Sequence, residues 1–509
     1  MPLSDDIRVV VAIDFGTTYS GFAFAHKANP KVIITQDYWN GPEGEGLYKT
    51  PTVIKYDDSY ENVESWGLSA LTKKSKKSHR SFQTSSKPLK WFKLYLLGSA
   101  LTYEKPFLPD VLDYKQVITD YLEKLGEDIK IRLKMHWNDV EFDKQVVVVL
   151  TIPAEFDDDA ITIMRKCAFN AKLIPTEYSQ NLKFTTEPEA AAINSMDTLK
   201  NEHKLGPGDL FMVVDCGGGT VDLTTQELLN DDELNEITVR TGDDCGSYNI
   251  DRSFIEFLGD KVGKSAMDLY EKDHYTNLQN IVQNFCQSVK LQFTENQKDF
   301  QPFQLDLEVG GFGTSKYLQS RIRQKFLEDE VPKISVPDLP IISIMRGAVK
   351  YGLTGKIKKR VLKWTYGTIA VRKWEPTDPL ELKLPNGYIK VFEKLAERSH
   401  QVSTVEEVTR FFKPYSLSQQ KMNIDMYITA LNDAKYLRDV KLFRKWEVNL
   451  TGVDDYDDDN TITFTLKFGE MEMFATAKNK AEDVQQVTFK YNLEASLNKI
   501  SGIIRSETL

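Results

Sequence analysis

The stretch that decides the fold is Val9-Val10-Val11-Ala12-Ile13-Asp14-Phe15-Gly16-Thr17-Thr18, followed by the alternating Phe22 and Phe24. A β-branched run, a tight polar turn and an alternating apolar stretch, in that order, spell strand, turn, strand. The same grammar returns at Leu210-Phe211-Met212-Val213-Val214, then Asp215-Cys216-Gly217-Gly218-Gly219-Thr220, with Val221 and Leu223 opening the return strand. The two aspartates stand 201 positions apart. One supersecondary unit used twice at that distance predicts two related α/β lobes, not a short-period solenoid.

Working outward, Val117, Ile118, Tyr121, Leu122, Leu125 and Ile129 recur at helical spacing between Tyr114 and Trp137 and predict an amphipathic helix. Gln145 to Thr151 is Val-rich and ends at Pro153, as a strand covered on both faces does. Asp157-Asp158-Asp159 puts acid at the start of a helix running to about Leu173, where it suits the helix dipole. After about residue 355 the pattern changes: Lys421 to Ala430, Trp446 to Thr451 and Thr461 to Phe468 read as strands, the last with period-two alternation. The expected organisation is an α/β domain over 1–354 (lobes 1–205 and 206–354), a basic, weakly structured linker over 355–363, a β-rich domain over 364–495 and a short tail over 496–509.

The chain has 509 residues, 41% hydrophobic and 28% charged, with a net charge of −10, which excludes disorder, collagen and coiled coil for the whole chain. An acidic balance argues against nucleic acid as partner, because no domain-wide basic surface exists to displace phosphate counterions. Lys73 to Arg80 is a local basic run, read as a solvated loop with a partner or import site as the alternative, and Asp454 to Asp459 lacks the glycine and terminal glutamate of a calcium loop. Four scattered cysteines, Cys167, Cys216, Cys245 and Cys286, predict reduced thiols. The N-terminus shows no basic-then-apolar targeting pattern, and the longest candidate apolar run, Leu94 to Leu101, is less than half a membrane span. A cytoplasmic protein with no membrane span is expected, the nucleus being the alternative compartment.

The repeated turns carry the chemistry. A phosphate chain needs several backbone N–H groups converging on it, and glycine permits both the dihedrals and the close approach. Two Gly/Thr turns, one per lobe, suit a triphosphate gripped from opposite sides. Asp14 and Asp215, at the ends of their strands, would face the phosphates and hold Mg²⁺ mainly through its waters, and Thr17, Thr18 and Thr220 would add hydroxyl donors.

Asp14 to Ser20 resembles the first phosphate motif, and Asp215 to Asp222 the second, of the actin-like ATPase superfamily and, within it, of the 70-kilodalton heat-shock protein family. Glu187-Pro188-Glu189-Ala190-Ala191-Ala192 is similar to that family's segment connecting the lobes, Ile152-Pro153-Ala154 to its proline-containing strand end, and Val309-Gly310-Gly311 to its adenosine motif. The details look closest to the divergent branch typified by heat-shock protein 12A. The resemblance implies a two-lobed, duplicated ribonuclease H-like α/β domain followed by a β-sandwich-like domain, with ATP or ADP and Mg²⁺ as cofactors. It implies catalytic roles for Asp14, Lys93, Glu187 and Asp215, with Glu187 orienting the attacking water and Lys93 contacting the γ-phosphate. Nucleotide contacts carry over to Gly16, Thr17, Thr18, Tyr19, Gly217, Gly218, Gly219, Thr220, Gly246, Lys290, Gly310, Gly311 and Phe312.

Three positions depart from the family. Phe312-Gly313-Thr314 replaces the Ser-Thr-Arg run whose arginine stacks on adenine, and Lys290 lacks its adjacent arginine. Ile161 stands where an arginine relays nucleotide state, with Arg165 four positions later. Lys356 to Leu362 is basic where the family linker is acidic. About fourteen residues follow Ala495, so the helical lid is expected to be absent. The expected function is slow ATP hydrolysis coupled to binding of a polypeptide client, with a nucleotide-exchange factor as a further partner. The alternatives are a non-hydrolysing nucleotide sensor or scaffold and a carbohydrate kinase of the same superfamily.

Overall fold

The structure, a computed structural model, describes residues 5–40, 44–71, 86–100, 105–273, 339–412, 421–449 and 462–467 continuously, with scattered positions between 278 and 336 and between 471 and 489. The chain divides into two compact units, Met1–Ile357 and Lys358–Leu509.

The first lobe is built on β1 (Val9–Phe15), every residue of which is buried. It runs antiparallel to β2 (Tyr19–His26), with Asp14 opposite Gly21 and Phe15 opposite Ser20. On the far edge of β2 lie the two-residue strands β3 (Ile34–Thr35) and β4 (Thr50–Pro51). A small separate sheet joins β5 (Val53–Tyr56), β6 (Val63–Trp66) and β7 (Leu89–Lys90), with the short helix α1 (Leu68–Leu71) beside it. Helix α2 (Tyr114–His136) follows, capped by the Asp113 side chain. After the single turn α3 (Phe142–Gln145) comes β8 (Val146–Ile152), parallel to β1 and wholly buried.

Helix α4 (Asp158–Asn170) is capped by Asp157, whose carboxylate accepts from the Ala160 N–H, as the acidic cluster predicts. Strand β9 (Leu182–Thr186) pairs parallel to β8. It runs straight into α5 (Glu187–Asn201), started by a capping box between Thr186 and Glu189 with Pro188 in the first turn. Arg165 donates to the carbonyls of Glu177, Ser179 and Leu182, fixing the approach to β9.

The second lobe opens with β10 (Leu210–Cys216) antiparallel to β11 (Val221–Leu228), which also pairs with β12 (Leu234–Glu236) and β13 (Thr241–Asp243). Helices α6 (Tyr248–Val262) and α7 (Lys264–Asp273) follow. Helix α8 (Pro340–Thr354) returns to the first lobe and packs on α5, β1 and β8. Its approach depends on missing side chains: a Cβ at Gly347 would fall 1.7 Å from the Ala190 carbonyl, and one at Gly352 would meet Val10 and Val149. The core under these helices is accordingly small and aliphatic, with Val10, Ala12, Ala23, Val149, Ala190, Ala192, Met345 and Val349 all buried. The other face of β1 packs its Phe15 against Tyr121 of α2. Covering on both faces is why β1 and β8 are continuous apolar runs.

Lys358–Leu509 is β-rich. Strand β14 (Ile357–Val361) pairs with β17 (Gln401–Ser403) through Lys359–Val361. Here the structure corrects the expectation of a weakly structured linker: Val361 is buried, Lys359 points outward, and the ladder satisfies the backbone, so the lysines do not prevent a strand. A sheet orders β16 (Tyr388–Ala396), β15 (Thr365–Lys373), β19 (Lys421–Thr429), β20 (Lys441–Asn449) and β24 (Thr488–Phe489). A second orders β18 (Glu407–Phe412), β21 (Ile462–Lys467), β22 (Phe474–Lys478) and β23 (Val484–Gln486). The alternation predicted around Thr461–Phe468 is the inward set Ile462, Phe464 and Leu466 of β21, packed with Met422, Ile424 and Met426 of β19. The Lys73–Arg80 run, the Asp454–Asp459 run and the 496–509 tail lie outside the described residues. No helix among the described residues is long and apolar enough to cross a membrane.

Candidate functional site

The two glycine turns meet. A Cβ at Gly218 would lie 2.1 Å from Thr18 Oγ1, and one at Gly219 would lie 2.3 Å from Thr17 Oγ1, so the Thr17-Thr18 side chains rest on the bare Cα atoms of the second turn. Gly16 is needed for its own hairpin, where a Cβ would strike the Tyr19 carbonyl at 2.2 Å. Thr52 steadies the first turn, its N–H donating to the Thr18 carbonyl at 2.8 Å and its hydroxyl to the Gly16 carbonyl at 2.8 Å.

The second turn is oriented by the start of α6. The carbonyls of Gly217, Gly218 and Gly219 accept from the N–H groups of Ser247, Tyr248 and Gly246 at 2.8–3.1 Å. In a trans peptide the C=O of one residue and the N–H of the next point in opposite directions. The N–H groups of Gly218, Gly219 and Thr220 are therefore aimed away from 246–248, as a set of donors held ready for an anion. Gly246 has no room for a side chain, since its Cβ would fall 2.3 Å from the Gly219 backbone.

Beside the turns lies a cluster of charged side chains. Asp14 and Asp215 each occupy the penultimate position of their strands, β1 and β10. Asp14 accepts from the Thr151 hydroxyl at 3.3 Å on Oδ1 and pairs with Lys49 Nζ at 2.6 Å on Oδ2. Asp215 Oδ2 is buried without a hydrogen-bond partner. Burial, and then the negative charges of Glu187, Asp222 and Asp14, push the Asp215 carboxyl well above the usual range. Asp222, opposite Asp215 in the hairpin register, accepts from the Ala154 N–H at 2.7 Å and the Thr220 hydroxyl at 2.6 Å. Burial, followed by the charge of Glu187, pushes its pKa up to about 7. Glu187, the first residue of α5, pairs with Lys93 Nζ at 2.8 Å, both side chains being buried. The Lys93 ammonium also lies 5.7 Å from the centre of the Phe15 ring and 5.6 Å from that of Phe156.

Known proteins similar to this chain align along most of its length. The chain is 22% identical to human Heat shock 70 kDa protein 12B over 580 aligned residues, covering 86% of this chain and 83% of that one. It is 24% identical to mouse Heat shock 70 kDa protein 12A over 625 aligned residues, covering 92% and 89%. The chain is related to the 70-kilodalton heat-shock proteins. No family model matches. Among solved structures, a pCBH ParM non-polymerisable quadruple mutant aligns at 14% identity with a TM-score of 0.37, over 68% of this chain and 98% of that one.

In this relative of the heat-shock proteins, the structure brings Asp14, Gly16, Thr17, Thr18 and Tyr19 to one side and Asp215, Gly217, Gly218, Gly219, Thr220 and Gly246 to the other, with Lys93 and Glu187 alongside. Lys290 lies at the far end of the second turn's support, where it donates to the Ser247 carbonyl and to Asp251 Oδ1, both at 2.7 Å. Gly310, Gly311 and Phe312 lie outside the described residues. Two members of the cluster escape motif reading. Asp222 is visible in the second motif without an assigned role, and Lys49 has no local signal at all, because only the pairing of β4 with β2 carries it to Asp14.

The groups present fit a polyphosphate: three oriented N–H groups, the hydroxyls of Thr17 and Thr18, and glycines that admit no Cβ, whereas the Thr220 hydroxyl, expected as a third donor, is given to Asp222. For a divalent ion the fit is looser. Asp215 Oδ2 and Asp14 Oδ2 are both buried without a hydrogen-bond partner, yet the Lys49 ammonium already stands 2.6 Å from Asp14 Oδ2. Among the described residues no group of three or more His, Cys, Asp or Glu is placed to hold a metal ion. An ion here would have to draw most of its ligands from water and phosphate.

Proposed function

We propose that the first unit binds ATP with its phosphates at the facing turns, hydrolyses it slowly to ADP and phosphate, and couples nucleotide state to polypeptide binding by the β-rich second unit. The observation that carries this reading is the seating of Thr17 and Thr18 on Gly219 and Gly218, from opposite lobes of one compact unit. Similarity to proteins named heat-shock 70 kDa over most of their length supports it.

The N–H groups of Gly218, Gly219 and Thr220 would bind phosphate oxygens as prepositioned donors. Lys93 holds the Glu187 carboxylate in one place, where it can accept a hydrogen bond from a water and orient it, while the ammonium stabilises charge at the transferred phosphoryl group. Mg²⁺, when bound, would supply charge neutralisation at the phosphates, with Asp14 and Asp215 reaching it mainly through its waters. Coupling to the second unit would be a free energy of about 1–3 kcal/mol.

The test is single-turnover phosphate release from ATP with Mg²⁺, preceded by a binding titration. Asp215→Asn and Glu187→Gln should each slow release by about 10²-fold or more. Unchanged turnover in Asp215→Asn removes the central residue of the mechanism. A second reading, binding without turnover, draws on the capture of Asp14 by Lys49, and it is the result if ATP binds but no phosphate is released.

A further inference from the structure

Lys49 reaches Asp14 through three strands in register. Asp14 stands opposite Gly21 across the β1–β2 pair, and β4 joins the other edge of β2 with Thr50 opposite Ser20, so Lys49 falls beside Gly21. Because Gly21 has no side chain, the lysine stem crosses over it: a Cβ there would lie 3.0 Å from Lys49 Cγ. The ammonium ends 2.6 Å from Asp14 Oδ2, an ion-pair contact to an oxygen that has no hydrogen-bond partner, while Asp14 Oδ1 faces the Thr151 hydroxyl at 3.3 Å. Burial works against the Lys49 charge, but Asp14, then Glu187 and Asp215, outweigh it and raise its pKa above the ordinary value. The ammonium thus answers Asp14, Glu187 and Asp215, three of the four carboxylates of the cluster.

We propose that Lys49 is a built-in cation of the carboxylate cluster, occupying the face of Asp14 that a divalent ion would otherwise contact, so that such an ion coordinates Asp14 directly, rather than through its waters, only by displacing it. Two cations cannot share one carboxylate oxygen at contact distance without strong repulsion. The chain with Lys49 in place therefore holds no divalent ion on Asp14 by itself, and an ion enters only with ligands from elsewhere. This deepens the reading of the site as one for polyphosphate and metal, yet it concerns the protein's own residues and is tested without nucleotide.

The experiment is a Mn²⁺ titration of the full chain in the absence of nucleotide, followed by electron paramagnetic resonance, with melting temperature measured in parallel. Lys49→Gln, which keeps a polar side chain against Asp14 but removes the charge, should bind Mn²⁺ at least about tenfold more tightly than the wild type. Its melting temperature should rise with Mn²⁺ while that of the wild type does not. Lys49→Arg should behave as the wild type, and adding Asp14→Asn to Lys49→Gln should abolish the gained site. Equal Mn²⁺ affinity in wild type and Lys49→Gln overturns the proposal. Should the variants fail to fold, a Mn²⁺-dependent rise in the wild-type melting temperature overturns it by itself. Failure of ATP to bind would count against the proposed function and leave these outcomes unaffected.

Discussion

The backbone N–H of Ala154 donates to the carboxylate of Asp222 at 2.7 Å, joining the peptide after Pro153, at the end of β8, to the second glycine turn. The other carboxylate oxygen takes the Thr220 hydroxyl, so one buried side chain ties the first lobe to the glycine turn of the second. Asp222→Ala would orphan both donors and should cost about 1–3 kcal/mol of unfolding free energy. Asp222→Asn retains an acceptor for Ala154 and an amide for the Thr220 oxygen, and should cost clearly less. Urea denaturation of the pair checks this, and equal losses would show that the bond to Ala154 contributes nothing.

Gly218→Ala places a methyl 2.1 Å from Thr18 Oγ1 and 2.8 Å from its Cγ2. Because the clash is with a short side chain on the opposing turn, the lobes must separate or the turn must shift, at about 1–3 kcal/mol. The expected result is weaker ATP binding by about tenfold or more, with partial recovery when Thr18→Ala is added. Titration calorimetry on the single and double variants reads both effects.

Lys93→Met leaves the Glu187 carboxylate buried without its cation. Breaking a buried pair in this way costs about 3–5 kcal/mol, whereas replacing both partners is far milder. Lys93→Met should therefore be strongly destabilised, and Lys93→Met with Glu187→Gln should regain much of the loss while remaining inactive. A double variant no more stable than the single would mean that the ion pair is not what holds Lys93 in place.

Lys90 supplies a pH signature. Its ammonium donates to Gln279 of the second lobe and lies 3.8 Å over the Trp91 ring; burial lowers its pKa to about 8, with Asp251, Cys286 and Glu271 opposing the shift. In the unfolded chain the same amine titrates near 10.5. Between about 8 and 10.5 the unfolded state holds the proton that the folded state has released, so unfolding free energy rises with pH across that window and this contribution is lost as pH falls through 8. Lys90→Gln should flatten the rise, measured by urea midpoints from pH 7.5 to 10. An unchanged slope in the variant would exclude Lys90 as its source.

Much of the candidate site was legible because its parts are local. Both hairpins announce themselves by an apolar run, an aspartate and a glycine turn, and Asp157 and Thr186 mark helix starts through side chains that cap within three residues. The strands themselves look alike in sequence but not in burial: β1 is buried throughout, whereas Leu210, Met212 and Val214 of β10 are exposed. Nothing in Lys356–Leu362 distinguishes a solvated basic linker from a strand, since the decision rests with a partner, β17, some forty positions later.

Sequence alone determined that this protein contains one α/β unit used twice, followed by strands, because turn chemistry and apolar periodicity act over a few neighbouring residues. Tertiary structure decided which charges answer which. Lys49 reaches Asp14 by the register of three strands across Gly21, Ala154 finds Asp222 from the other lobe, and Lys290 is drawn to Asp251. Those pairings depend on how strands align and on what buried carboxylates require once water is removed. No stretch of ten residues encodes either.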